Sequence, residues 1–341
     1  MDAKITKSRL GLLLSYDWIK IIGICLAAVL IWALLYTMLA TRATNGQKFE
    51  IYSYVDVRMD SSVLGSLDDM HAGKALSNDV LDFSTYSLNQ DGYEDMILQA
   101  HFSAGQGDVM FVPDLASTTA DDGTVTYAGL TDFLSSYRSN AIWLGENGYE
   151  EGGKVVYEKN YFTQCEEYLG KFFKNEDGEP DLTKNGTLDK AAAETNFRAR
   201  IKGDKRYKNE AQRLEALEKE YERLEALRYS YCQVLDWVSN DSADDPIELR
   251  KTTVTGQDES GTEVTLNWTY AFDLSNLEEL TKFVSRPAEE GEIDGVSAGT
   301  YVSDKMCMVV LNGGSTGEED MRYEPFTFMT YLVEKFDKKE A

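Results

Sequence analysis

The chain has 341 residues, 43% of them hydrophobic, with only five prolines and with 34 Lys+Arg against 59 Asp+Glu. That length holds one large domain or two small ones, and the apolar content excludes wholesale disorder and a proline-rich stalk. The net charge of −25 disfavours nucleic acid and anionic lipid as partners and favours solubility.

The first element is the uncharged apolar run at 21–40, IIGICLAAVLIWALLYTMLA. Twenty helical residues at about 1.5 Å each span about 30 Å, the thickness of a bilayer's hydrocarbon core. Trp18 and Tyr36 lie near its ends, where amphipathic rings suit the interface. The expectation is one transmembrane helix over 19–40, with a cytoplasmic segment at 1–18. A cleaved signal peptide has a shorter apolar core, and ATRA at 40–43 is a poor cleavage site. Cys25 reads as a thiol inside that helix, since Ile24 and the long apolar run do not suit an acylated terminus. Lys4, Lys7, Arg9 and Lys20 precede the run's centre and only Arg42 and Lys48 follow closely, which favours a cytoplasmic N-terminus. Four of the 34 basic and two of the 59 acidic residues precede Thr41, so the remainder carries a formal charge of −27. Its cysteines, 165, 232 and 307, are few, odd in number and widely spaced, which is neither a disulfide framework nor a metal cluster.

After a polar tether at 41–48, FEIYSYVDV at 49–57 reads as a strand. Asp60 or Ser61 caps a helix with Val63, Leu67 and Met70 on one face. VLDFSTY at 80–86 is a second strand. Tyr93, Met96, Ile97 and Ala100 share one face of the next helix, which Gly105 ends in a left-handed turn. VMFV at 109–112, apolar without alternation, is a strand buried on both faces. This β-α-β-α-β order predicts a parallel sheet covered by helices, an α/β lobe whose first part runs over 49–160. LTDFLSSY at 130–137 is a short amphipathic helix within it.

From 161 to 245 the pattern is a helical insertion. Leu214, Leu217, Tyr221, Leu224, Tyr231, Leu235 and Val238 recur at 3–4 spacing, and Arg228 interrupts them. The seam is too short for a coiled coil and contains tyrosines, so it is expected to pack on its own domain. The second part of the lobe, 246–341, opens with a hairpin that turns near 258–261. LSNLEELTKFV at 274–284 reads as a helix capped by Asp273 or Ser275, MCMVVL at 306–311 as a buried strand, and MRYEPFTFMTYLVEKF as a closing helix with Phe328, Tyr331, Leu332 and Phe336 on one face.

Helix, the corner AGQGD at 104–108, the strand at 109–112 and the amphipathic helix with Leu130, Phe133 and Leu134 together resemble the first lobe of bacterial extracellular solute-binding proteins of the sugar-binding type. The strand at 49–57 sits where that family has its first strand. The stretch from Trp268 to Ser275 and MVVLNGG before the closing helix are similar to its returning segments. The resemblance covers 49–134 best and 265–336 less closely. It implies a periplasmic-binding-protein-like lobe that captures a sugar or oligosaccharide for an ABC importer, without catalysis or cofactor, by closure of two lobes. The chain departs from the family in its membrane helix and in a middle that is short and helical where the family has a second α/β lobe. A degenerate relative that binds a protein partner at the cell surface is the alternative. The corner's physics stands without the family: the glycines reverse the chain, and Asp108 accepts backbone N–H groups in the turn.

Sequence patterns for catalysis are lacking. The two histidines, His71 and His101, lie on separate helices; no H-E-x-x-H, C-x-x-C, G-x-S-x-G or phosphate loop occurs. Asp181, Thr183, Asn185, Gly186 and Asp189 follow a calcium-loop spacing, but Ala192 stands where a bidentate carboxylate is required. No metal or cofactor is expected. Open parallel sheets bind ligands beyond the carboxyl ends of their strands, which here present Asp56, Tyr86 and Asp114. Trp143, Trp268 and Tyr270 are candidates to stack on a sugar-like face.

Overall fold

Along Lys48–Ser53 (β1), Phe49 and Ile51 point to one side of a sheet and Glu50 and Tyr52 to the other, and all four are buried. A strand buried on both faces needs helices on both, and this chain supplies them. β1 lies parallel to Asp82–Ser87 (β2) on one side and to Val109–Pro113 (β3) on the other. The antiparallel strands Glu248–Gln257 (β4), Glu263–Asp273 (β5) and Met306–Val310 (β6) complete six strands in the order β4-β5-β6-β3-β1-β2. The computed structural model describes residues 18–39, 43–54, 56–88, 93–115, 118–119, 125–126, 129–151, 154–156, 159–240, 242, 244–257 and 263–337. The hairpin turn near 258–261 lies outside them. The protein is thus mixed α/β with a parallel-containing sheet.

Residues 1–42 and 43–341 are separate compact units. In the first, Trp18–Leu39 (α1) is a 22-residue helix with no acidic first turn and no basic last turn. It is long and apolar enough to cross a membrane, a test that a signal sequence also passes, and none of its span is buried within the chain.

In the second unit, one face of the sheet carries Phe49, Ile51, Val109, Phe111, Met308 and Val310 into a core shared with Leu67–Ala72 (α2), Tyr161–Leu169 (α5), Lys190–Arg200 (α6), Glu210–Asn240 (α7) and Glu324–Phe336 (α8). The other face packs Met110, Val112, Cys307 and Val309 beneath Glu94–Ser103 (α3) and Leu130–Tyr137 (α4), through Leu98, Leu130, Phe133 and Leu134. The helices of 161–240 therefore join the sheet's own core rather than build a second lobe around a second sheet.

Local chemistry sets the element ends. Ser66 and Asp69 form a capping box at α2, and Asn160 accepts the Thr163 N–H at α5. Gly105 takes φ +67° and Gly107 φ +102°, as the reversal between α3 and β3 requires. A Cβ at Gly107 would stand 3.0 Å from Leu311 and 3.1 Å from Tyr52.

Two expectations need correction. The first strand stops at Ser53, not 57: Tyr54 turns to bond Phe111 O, Asp56 takes φ +53°, and Arg58–Met59 pairs with Val284–Pro287 instead. The segment 274–284 is not an α-helix. Leu274, Leu277, Leu280 and Phe283 are all buried, and the N–H groups of Leu277, Leu280 and Phe283 bond three residues back, so the chain runs as successive three-residue turns. An exact period of three in the buried residues suits that geometry and not 3.6. Asp273 does accept the Ser275 N–H and hydroxyl, as a turn and not a helix cap. Along α7, Leu217, Tyr221, Leu224, Leu227, Tyr231 and Val234 are buried in the domain, whereas Leu214 is half exposed. The four described cysteines are unbridged.

Candidate functional sites

At the carboxyl ends of β1–β3 the described residues are engaged by separate contacts. Tyr54, Val57 and Leu88 are buried there. Asp114 is ion-paired with Arg250 and its N–H bonds Lys305 O. Asp56 is exposed in its left-handed turn. Tyr86 stacks on Tyr52 with ring centroids 5.0 Å apart. The three predicted polar positions are thus tied into the scaffold separately.

The aromatic candidates do converge. Trp143 is buried, donates its Nε1–H to Glu146 O at 2.7 Å, and meets Tyr270 edge to face at 5.1 Å. Trp268 and Tyr270, two residues apart on β5, project to the same face and line a cavity of about 420 Å³ with Arg138 and the exposed Ser135, Ser136 and Ser139. The Arg138 guanidinium lies 4.6 Å from the Trp268 ring centroid. A solute entering there meets hydroxyls, guanidinium N–H groups and an aromatic floor. Asp56, Tyr86 and Asp114 take no part in it. The cavity lies toward the amino ends of β1–β3: Ala271 pairs with Val309 and Val309 with Met110, which leaves Trp268 past the start of β3. Antiparallel β5 and β6 and the 138–141 turn form this edge, opposite the carboxyl ends of β1–β3.

Asp108 sits at the same end, fully buried. Its Oδ2 accepts the Glu50 N–H at 2.8 Å, and its Oδ1 accepts the Ser315 hydroxyl at 2.5 Å and the Thr316 N–H at 2.9 Å. Burial pushes its pKa up to about 7, while the three donors pull the other way. Glu50 in turn accepts Gly107 N–H at 3.0 Å and Tyr52 OH at 3.2 Å, and Tyr52 OH also bonds His101 Nδ1 at 2.7 Å. Burial beside Glu50 holds the Tyr52 phenol far above its ordinary value. This network stitches β1, the α3–β3 corner and the 311–317 loop together.

A second constellation was missed from sequence. Between α7, α8 and the chain after α2 runs an alternating series of ions. Arg223 is bidentate to Glu220 at 2.8 and 2.9 Å, and Glu220 also binds Arg200 at 2.6 Å. Arg200 lies 3.0 Å from Asp79, which pairs with Arg206 at 3.2 Å. At the other end Glu324, whose Oε2 accepts the Ser77 N–H at 2.8 Å, stands 3.9 Å from Arg223. Burial drives Glu220 upward, but Arg223 and Arg200 outweigh it and hold the carboxyl below the usual range. At Glu324 burial wins, because Arg223 is farther away, and its pKa is raised. The signal in the sequence was Glu220 and Arg223 falling beside Leu217, Tyr221 and Leu224 on a stripe otherwise apolar.

No group of three or more His, Cys, Asp or Glu side chains arranged to hold a metal ion occurs among the described residues. Asp181 accepts the Thr183 N–H at 2.8 Å and so serves its own turn. No protein-family model, curated protein or solved structure matches this chain.

Proposed function

We propose that the chain is a membrane-tethered, non-catalytic binding domain that captures a small oxygen-rich, sugar-like solute on the extracytoplasmic side. The observation that carries this reading is the cavity in which Trp268 and Tyr270 face three serine hydroxyls and Arg138. Aromatic faces beside serine hydroxyl oxygens and a guanidinium suit a ring with apolar C–H faces and polar edges. Because Arg138 already covers part of Trp268, the solute engages the guanidinium through its oxygens. The order β2-β1-β3 followed by returning antiparallel strands supports a periplasmic-binding-protein-like lobe. The excess of basic residues before α1 supports a cytoplasmic N-terminus. Delivery to an ABC permease is the partnership the resemblance implies.

The absence of a second lobe among the described residues removes hinge closure from this mechanism. It also favours a second reading, an accessory domain that presents this surface to a protein partner. Thermal-shift and calorimetric titration of the full chain with mono- and oligosaccharides separates the two. A ligand at 100 times its Kd stabilises by about 2.7 kcal/mol, a readily visible shift. The solute reading requires a hit that Trp268→Ala and Arg138→Ala each weaken; silence across the panel leaves the accessory reading.

A further inference from the structure

The ion series ends at a crevice of about 300 Å³ between α2, the chain after it, α7 and α8. Its floor is Arg223 and Glu324, both buried, and its walls include Leu76, Ala226 and Leu227. Lys74 and Lys219 stand at its rim, opposed by Glu222. In a domain with a formal charge of −27, this opening gathers three cations, of which Lys219 also lies 3.5 Å from Glu215 and Arg223 is held by Glu220.

A guanidinium has five N–H donors. Those of Arg223 serve Glu220 twice, Tyr168 OH at 2.7 Å and Asp320 O at 2.9 Å. Four are thereby used among the described residues. The remaining Nη1–H has only Glu324 Oε1 before it, and 3.9 Å is too far for a hydrogen bond. A buried donor left without a partner costs about 1–3 kcal/mol, so an oxygen that approaches this Nη1 from the crevice is favoured. Burial raises the pKa of Glu324, which lessens the repulsion that a second carboxylate meets there.

We propose that this crevice binds a small organic anion, a carboxylate on a short apolar body, with the carboxylate on the crevice side of Arg223 Nη1 beside Glu324 and the body against Leu76, Ala226 and Leu227. Lys74 and Lys219 draw the anion to the opening. Cavities near 300 Å³ are at the small end of those that take organic ligands, which limits the body to roughly one ring.

The test uses the full chain in phosphatidylcholine nanodiscs, with benzoate as the probe and benzyl alcohol and benzylamine as its neutral and cationic counterparts. Benzoate is expected to raise Tm and to bind by calorimetry, and the other two are not. Lys74→Glu with Lys219→Glu alters only exposed side chains and is expected to weaken benzoate by about fivefold or more. Glu324→Gln, a neutral isostere, is expected to keep the binding. Trp268→Ala is expected to leave it unchanged, which separates this site from the solute cavity. Equal binding of all three probes, insensitivity to the double charge reversal, or loss on Trp268→Ala would each overturn the proposal. So would the absence of any benzoate response.

Discussion

Asp108 Oδ1 accepts the backbone N–H of Thr316 at 2.9 Å, across 208 residues of sequence. Through this bond the corner between α3 and β3 closes on the loop after β6. The corner AGQGD therefore has a tertiary duty beyond the local turn, since its aspartate satisfies donors from β1 and from the loop after β6.

Asp108→Ala is expected to cost about 2–4 kcal/mol, because it strands the Glu50 and Thr316 N–H groups in a dry interior. Urea denaturation of the solubilised full chain measures it. Gly107→Ala is expected to lose stability as well, from a Cβ at φ +102° pressed against Leu311 and Tyr52. A loss below about 0.5 kcal/mol for Asp108→Ala, within the range of ordinary surface substitutions, would remove the corner's role as a clasp.

The same carboxyl gives a pH signature. In the unfolded chain it titrates near 4 and in the folded protein near 7, raised chiefly by burial. Between those values the folded state holds the extra proton. Its contribution to stability is therefore fullest below about pH 4 and falls as pH rises toward 7, by at most about 1.4 kcal/mol per pH unit. Carbon-13 NMR of labelled aspartate should show one carboxyl with a midpoint near 7, and Asp108→Asn should remove both that resonance and that slope. A folded midpoint near 4 would contradict the assignment.

The ion series should behave as a unit. Arg223→Ala leaves Glu220 and Glu324 buried with less compensation, and is expected to destabilise by about 3–5 kcal/mol. Glu220→Leu with Arg223→Met fills the same space without charge and is expected to lose clearly less than the single change. The double-mutant cycle reads the coupling directly; additive losses would mean that the two residues act independently.

Acid acts oppositely at Glu292. Arg286, only 1% exposed, binds both its oxygens, at 2.6 and 2.8 Å, and lowers its pKa to about 2. That contribution is present above the ordinary glutamate value and is lost as pH falls from about 4.5 to 2. Glu292→Gln should be less stable than the parent at pH 6 and should lose less than the parent on acidification to pH 2. A parent and variant with parallel acid limbs would place the acid sensitivity elsewhere.

The sequence by itself determined the apolar length of α1, the parallel core of β1–β3 and the buried β6. Each rests on short-range signals: an uncharged run, or apolar residues without alternation between glycine, proline and aspartate punctuation. It also marked Trp268 and Tyr270, since alternate residues on a strand must share a face. Only the tertiary structure decided that β4, β5 and β6 join that sheet as antiparallel strands and that the helices of 161–240 share its core. It likewise showed that Leu274, Leu277, Leu280 and Phe283 keep a three-residue rhythm. The cavity that Trp268 and Tyr270 share with Arg138 and the meeting of Glu220, Arg223, Arg200 and Asp79 were hidden for one reason. Both depend on contacts between segments distant along the chain, and a burial pattern records that a side chain is inside without naming its neighbours.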